Sequence, residues 1–220
     1  TPELVELVAS EPRIVPYLDM PIQHGSDAVL RRMRRPERRA TIRERVRWLR
    51  EAVPDIALRT TVIVGFPGET EEDFEALLEL LEEVRFDHLG AFAYSPEEGT
   101  PAAAMPDPVS DVVKRERLER VLELQRAISL ERNEAQVGRE VMALVDEVGE
   151  DAAVRAGAVG AVPPASRGRG AGPARRGGGR PAGVVVARTA RQAPEVDGVV
   201  FVCGAEGARP GDFLRVRIVE

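Results

Sequence analysis

Soft metal ligands are nearly missing from this chain: 220 residues hold one cysteine, Cys203, and two histidines, His24 and His88. A single cysteine excludes an internal disulfide framework and fits a reducing, cytoplasmic compartment. Metal-ligand spacing is absent throughout, and so are the Walker and dinucleotide-binding fingerprints. No apolar run approaches the roughly 18 residues that span a bilayer, and the opening residues do not read as a signal peptide, so no membrane partner is expected. An excess of positive charge is lacking too. The net charge of −6 argues against a protein that grips nucleic acid over its whole surface. The first residue is Thr1 rather than methionine, from which a longer polypeptide is expected. What is present suits a globular protein: 43% hydrophobic and 31% charged residues can bury a core, over a length that fits one large domain or a medium one plus a small one.

Strands alternate with helices over the first part of the chain. Ile14 to Met20 reads as a short strand ending in Pro21-Ile22-Gln23-His24-Gly25-Ser26, and a helical region from about Asp27 to Ala52 follows. The next strand, Leu58 to Val64, runs into Gly65-Phe66-Pro67-Gly68-Glu69. A helix then opens on Thr70-Glu71-Glu72-Asp73, a capping-box pattern. Its apolar stripe is Phe74, Leu77, Leu78, Leu81 and Val84, which predicts one buried face. A third strand, Leu89 to Tyr94, ends in Ser95-Pro96-Glu97-Glu98-Gly99-Thr100. Such alternation means parallel βαβ units. Three units cannot close an eight-stranded barrel, so the fold class expected is α/β, with half of a barrel and open strand edges.

A long helix is predicted from about Asp111 to Gln136, stopped by Gly138. Beyond it come short β segments, Glu140 to Val148, Gly183 to Arg188, Gly198 to Cys203 and Phe213 to Val219, which read as a small antiparallel barrel lacking its last strand. Between the first two lies Asp151 to Ala182, built almost wholly from Gly, Ala, Pro, Arg and Val, with six arginines against one acid. That composition cannot bury enough apolar surface to order itself, so it reads as a flexible insert.

The three strand ends carry the candidate chemistry: Gln23, His24 and Ser26; Gly65, Phe66 and Glu69; Ser95 and Glu97. In a parallel α/β barrel they share one rim, where sites are built. Polar loops facing water would account for any one end; the three together point to a site. Arg59 interrupts an apolar strand pattern. It could bind a ligand carboxylate through its guanidinium fork or form a structural ion pair with a helix acid. His24 has no neighbouring nucleophile, so it reads as a hydrogen-bonded rim residue. Cys203, in the apolar pattern Val199-Val200-Phe201-Val202, reads as a small buried hydrophobe.

The segments from Tyr17 to Ser26, from Ile63 to Phe74 and from Tyr94 to Ala102 together resemble the methylthiotransferases, which are radical S-adenosylmethionine (SAM) enzymes. Their order and spacing are similar to the second half of the radical-SAM TIM-like barrel. The tail, through Ala193-Pro194-Glu195-Val196-Asp197-Gly198 to Pro210-Gly211-Asp212, resembles the TRAM domain of the same family. The resemblance implies two domains: residues 1–137, a partial, three-unit barrel with its exit helix, and residues 138–220, a TRAM-like β-barrel interrupted by the insert at 151–182. His24, Arg59 and Pro96-Glu97-Glu98 look like the branch that modifies an aspartate of the small-subunit ribosomal protein numbered twelve, rather than the tRNA-modifying branch.

For that branch the resemblance implies replacement of an aspartate β-hydrogen by a methylthio group, with SAM and two 4Fe-4S clusters as cofactors. The partners implied are the ribosomal protein as substrate and ribosomal RNA or the ribosome through the TRAM-like domain, with the intact protein a monomer. Gln23, Ser26 and Arg59 would line the polar side of the SAM pocket, and Val64, Gly65 and Phe66 would pack along the adenine. The chain departs from the family in lacking the C-x3-C-x2-C triad and a further three cysteines, and Cys203 alone cannot hold a cluster. These 220 residues by themselves are therefore expected to be inactive. The alternative classes are a tRNA methylthiotransferase and a non-catalytic protein that binds RNA through its TRAM-like module and arginine-rich insert.

Overall fold

Helices at the expected spacing enclose one face of a short parallel sheet in the computed structural model, which describes residues 2–149, 152 and 183–219. Two units form, Thr1–Gln136 and Val137–Val219. The first contains α1 (Pro2–Ser10), β1 (Tyr17–Asp19), α2 (Asp27–Arg32), α3 (Arg39–Ala52), β2 (Ala57–Val64), α4 (Glu71–Val84), β3 (His88–Ala93), a 3₁₀ turn (Pro101–Ala104) and α5 (Asp111–Glu134). Strand order is β1-β2-β3, all parallel.

Several boundaries differ from expectation, each for a local reason. β1 covers three residues instead of seven, because Pro16 and Pro21 bracket it and neither can donate to a ladder. The single helical region expected over 27–52 is two helices. α2 closes at Arg34, whose N–H donates to Arg31 O at 3.0 Å while that of Arg35 donates to Leu30 O at 2.9 Å. This is the Schellman pairing that ends a helix, and Pro36 then prevents immediate resumption. On α4 the fully buried positions are Phe74, Leu77, Leu80 and Leu81; Leu78, expected in the stripe, is only half-buried, and Leu80 takes its place. α1 has no counterpart in the sequence reading. It is anchored by Val8.

Alternation along β2 separates two environments. Leu58, Val62 and Val64 join Leu30, Phe74, Leu77, Phe86 and Val121 in one core on the helix side. Arg59, Thr61 and Ile63 face the other way, paired in register with His88, Gly90 and Phe92. That second face is open, and the Phe92 side is 58% exposed. Parallel sheets are normally covered on both faces; among the described residues of this unit one face lacks a covering layer.

The second unit is a four-stranded antiparallel sheet, order β6-β5-β4-β7, from β4 (Glu140–Glu147), β5 (Val185–Thr189), β6 (Val200–Val202) and β7 (Phe213–Arg217). An irregularity between Val145 and Glu147 bends β4 and curls the sheet. Ala143, Val145, Val185, Ala187 and Val202 fill its small core. Cys203 is exposed, not buried. Val202 ends β6 pointing inward, so the next residue points out, ahead of a left-handed turn at Gly204. The Arg/Gly insert, apart from Ala152, lies outside the described residues. The architecture is thus α/β, a partial parallel barrel sheet followed by an antiparallel half-barrel.

Candidate functional site

In-register parallel pairing delivers the three strand ends to one rim of the first unit. Gln23 leaves β1 at φ +66 and bridges to β2, its N–H donating to Thr61 O at 2.9 Å and its carbonyl accepting from Ile63 N at 2.8 Å. His24 follows, fully buried, with Nδ1 accepting from the Ser26 amide at 2.9 Å. Its proton therefore resides on Nε2, which lies 3.4 Å from Glu69 Oε2, within ion-pair reach but too poorly aligned for a hydrogen bond. Gly25 then passes hard against α4. A Cβ there would sit 2.6 Å from Leu77 Cα and 2.8 Å from Ala76 O, so this position requires glycine for close approach.

The loop after β2 is fixed by its own carboxylate. Gly65 turns the chain at φ +72 over the stem of Lys114. Glu69, whose side chain is fully buried, accepts from Gly65 N at 2.7 Å and Phe66 N at 3.1 Å through Oε2, and from Arg117 of α5 at 2.8 Å through Oε1. Two backbone donors and a guanidinium satisfy the carboxylate that burial would otherwise penalise. Sequence reading placed Glu69 on the rim and missed Arg117. No local pattern joins residues 48 positions apart.

Beside this loop opens a cleft of about 310 Å³ with Gln23, Ile63, Phe66 and Tyr94 among its lining residues. The Phe66 and Tyr94 rings meet edge to face, centroids 5.1 Å apart. Thr100 to Ala102, Met105 and three arginines, Arg32, Arg34 and Arg35, line it as well. Two polar atoms at the cleft, Tyr94 Oη and Arg32 Nε, are buried with no hydrogen-bond partner among the described residues. Buried polar atoms in native folds are nearly always satisfied.

The six candidate residues divide. Gln23 and Phe66 line the cleft, and Gly65 shapes its edge. Ser26 caps α2, accepting from Ala28 and Val29 amides while its hydroxyl donates to Asp73. Arg59 lies on the open sheet face and pairs at 2.8 Å with Asp19, the acid directly opposite on β1, so its partner is a strand acid. The Val64 side chain belongs to the helix-side core, and its carbonyl accepts from Tyr94 N at 2.8 Å. Arg32, which sequence reading passed over, spans from the cleft to Gly68 O at 2.7 Å and Asp73 at 3.0 Å.

Both parts of the chain are similar to known proteins. The radical SAM superfamily matches residues 1–81 and the TRAM domain residues 178–220. A protein named ribosomal protein uS12 methylthiotransferase RimO, from Azoarcus sp. (strain BH72), is 44% identical over 99% of this chain and 42% of its own length. Proteins of the same name from Geobacter sulfurreducens and Escherichia coli are 42% and 41% identical, over 100% and 98% of the chain. The chain spans about two fifths of the length of these relatives, 42% in each case. Among solved structures, coproporphyrinogen III oxidase (HemN) from Escherichia coli, described as a radical SAM enzyme, shares the fold at a TM-score of 0.50 and 20% identity. That match covers 58% of this chain and 30% of the other. With both domain types in this order and such identity along virtually its whole length, the chain is similar to the RimO-type radical SAM methylthiotransferases.

Proposed function

We propose that these residues form the SAM-pocket wall and the TRAM domain of a protein that methylthiolates ribosomal protein uS12 at the β-carbon of an aspartate. The observation that carries this reading is identity of 41% to 44% along virtually the entire chain to proteins named for that activity. The cleft supports it. Its volume lies at the lower end of small-molecule sites, and it joins an aromatic pair to two unsatisfied polar atoms, a combination that fits a nucleoside-bearing amino acid such as SAM.

SAM held in this cleft would supply hydrogen-abstracting radical chemistry, and Gln23, Phe66 and Tyr94 would hold it. The chain's own residues bind and orient. Phe66 and Tyr94 offer apolar surface for the adenine, with Gly65 giving the backbone close access. Gln23 and the Tyr94 hydroxyl offer hydrogen bonds. Ser26 and Arg59 act at one remove: Ser26 holds the Gln23–Ser26 turn to α4 through Asp73, and Arg59 ties β1 to β2 through Asp19. The residues present do not fit an iron–sulfur cluster. One cysteine cannot hold it, and the described residues contain no group of three metal-ligating side chains. Within these 220 residues no radical step is therefore assigned, and SAM cleavage by the chain alone is not expected. The TRAM domain is the part that would contact ribosomal RNA.

The test is complementation. A chimera joining the remaining portion of the Azoarcus relative to this chain is placed in cells lacking their own uS12 methylthiotransferase, and uS12 and tRNA are read by mass spectrometry. Methylthio-aspartate on uS12 is expected. A methylthio group on tRNA with unmodified uS12 would transfer the chain to the tRNA branch.

A further inference from the structure

The stretch from Arg31 to Arg50 holds ten arginines against two acids, in a chain whose net charge is −6. Seven of the ten have a partner. Arg39 and Arg43 reach Glu79 and Glu83 on α4, Arg45 and Arg47 reach Glu37 and Glu51, and Arg32 holds Asp73. Arg38 and Arg50 donate to backbone carbonyls. Arg31, Arg34 and Arg35 remain, all exposed, with no hydrogen-bonded or acidic side-chain partner among the described residues. Two of these three line the cleft.

Arg34 is also in an unfavourable backbone state. It occupies the Schellman position at φ +57, where glycine is the usual residue because a side chain is penalised in the left-handed region. A long side chain retained there, aimed at a cleft and unpaired, is an outlier of the kind that gathers at binding sites. Among the described residues no acidic side chain lines the cleft to neutralise the pair.

We propose that Arg34 and Arg35 read the substrate's target side chain by clasping its carboxylate at the mouth of the cleft. This rests on the uS12 reading above and deepens it: the arginines select an aspartate over its neutral amide. Paired guanidinium forks match a carboxylate, and a charge-assisted contact of this type is roughly twice as strong as a neutral one. A phosphate backbone is the less suitable occupant. The basic group is three side chains rather than a stripe, a cleft of about 310 Å³ is too small for a polymer, and the segment that lines it at Thr100 to Ala102 follows exposed Glu97 and Glu98.

The experiment titrates the 220-residue chain, fluorescently labelled and at nanomolar concentration, with uS12 and with uS12 carrying Asp→Asn at the target position. Wild type is expected to bind the aspartate form about tenfold more tightly. Arg35→Gln should erase the preference, Arg35→Lys should keep part of it, and Arg34→Gly should reduce it with the fold intact by circular dichroism. Equal binding of both forms by wild type, or an aspartate preference that survives Arg35→Gln, overturns the inference while leaving the uS12 reading intact. Weakened SAM binding with unchanged uS12 preference would assign the arginines to the amino-acid carboxylate of SAM, and also overturns it. Binding of RNA but of neither uS12 form would remove the uS12 reading itself.

Discussion

Gly25 and Arg34 illustrate opposite solutions to backbone crowding. At Gly25 the space for a Cβ is taken by the backbone of α4, which no rotamer change can vacate. Gly25→Ala should destabilise the first unit by about 2 kcal/mol or more, in the range of overpacked core positions, read as a lowered urea midpoint. At Arg34 the penalty comes from the residue's own φ of +57. Arg34→Gly should therefore stabilise the chain by about 1 kcal/mol while weakening substrate binding. A variant that gained stability and kept its affinity would separate the strain from the function. The sequence shows the Gln23–Ser26 and Gly65–Glu69 turns clearly, since glycine and proline punctuate them. It is silent on Arg34, because a left-handed arginine leaves no compositional trace.

Among the elements, α2 and α4 meet through Asp73, which also completes the capping box with Thr70 at 3.2 Å in each direction. Burial pushes the Asp73 carboxyl up, but hydrogen bonds from the Ser26 hydroxyl, the Thr70 amide and Arg32 outweigh it, so the group sits below its ordinary value of 3.8. A depressed carboxyl stabilises the fold at pH above its unfolded value, and that contribution is lost as pH falls through the lower folded value. The urea midpoint should accordingly fall as the pH drops below about 4, and fall less in Asp73→Asn. An equal drop in both proteins would exclude Asp73 as a source of the acid sensitivity. The capping box was legible because its partners are three residues apart; Asp73's contacts with Ser26 and Arg32 span 47 and 41 residues and were not. Strand and helix order was likewise readable from periodicity. The split of the 27–52 helix was not, since one apolar stripe runs through Val29, Leu30, Ile42 and Val46 on both sides of the break.

At the scale of the whole chain, the open sheet face governs behaviour in solution. Ile63 and Phe92 sit beside each other on that face, and β1 and β3 present unpaired edges, which favours edge-to-edge association. The isolated chain should self-associate at micromolar concentration in sedimentation velocity, and Phe92→Lys should reduce that association. No helix among the described residues is long and apolar enough to cross a membrane. The half-barrel was readable from the count of βαβ units, whereas the side of the sheet left bare emerged only from the register. Glu69 has a further consequence, in time rather than space. Its carboxylate holds the amides of Gly65 and Phe66 only while Arg117 is docked, so those two protons should exchange with deuterium through opening of the whole unit, not through local fraying of an exposed loop. The turn beside the cleft would then share the lifetime of the core, and the cleft would keep its shape for as long as the unit stays folded.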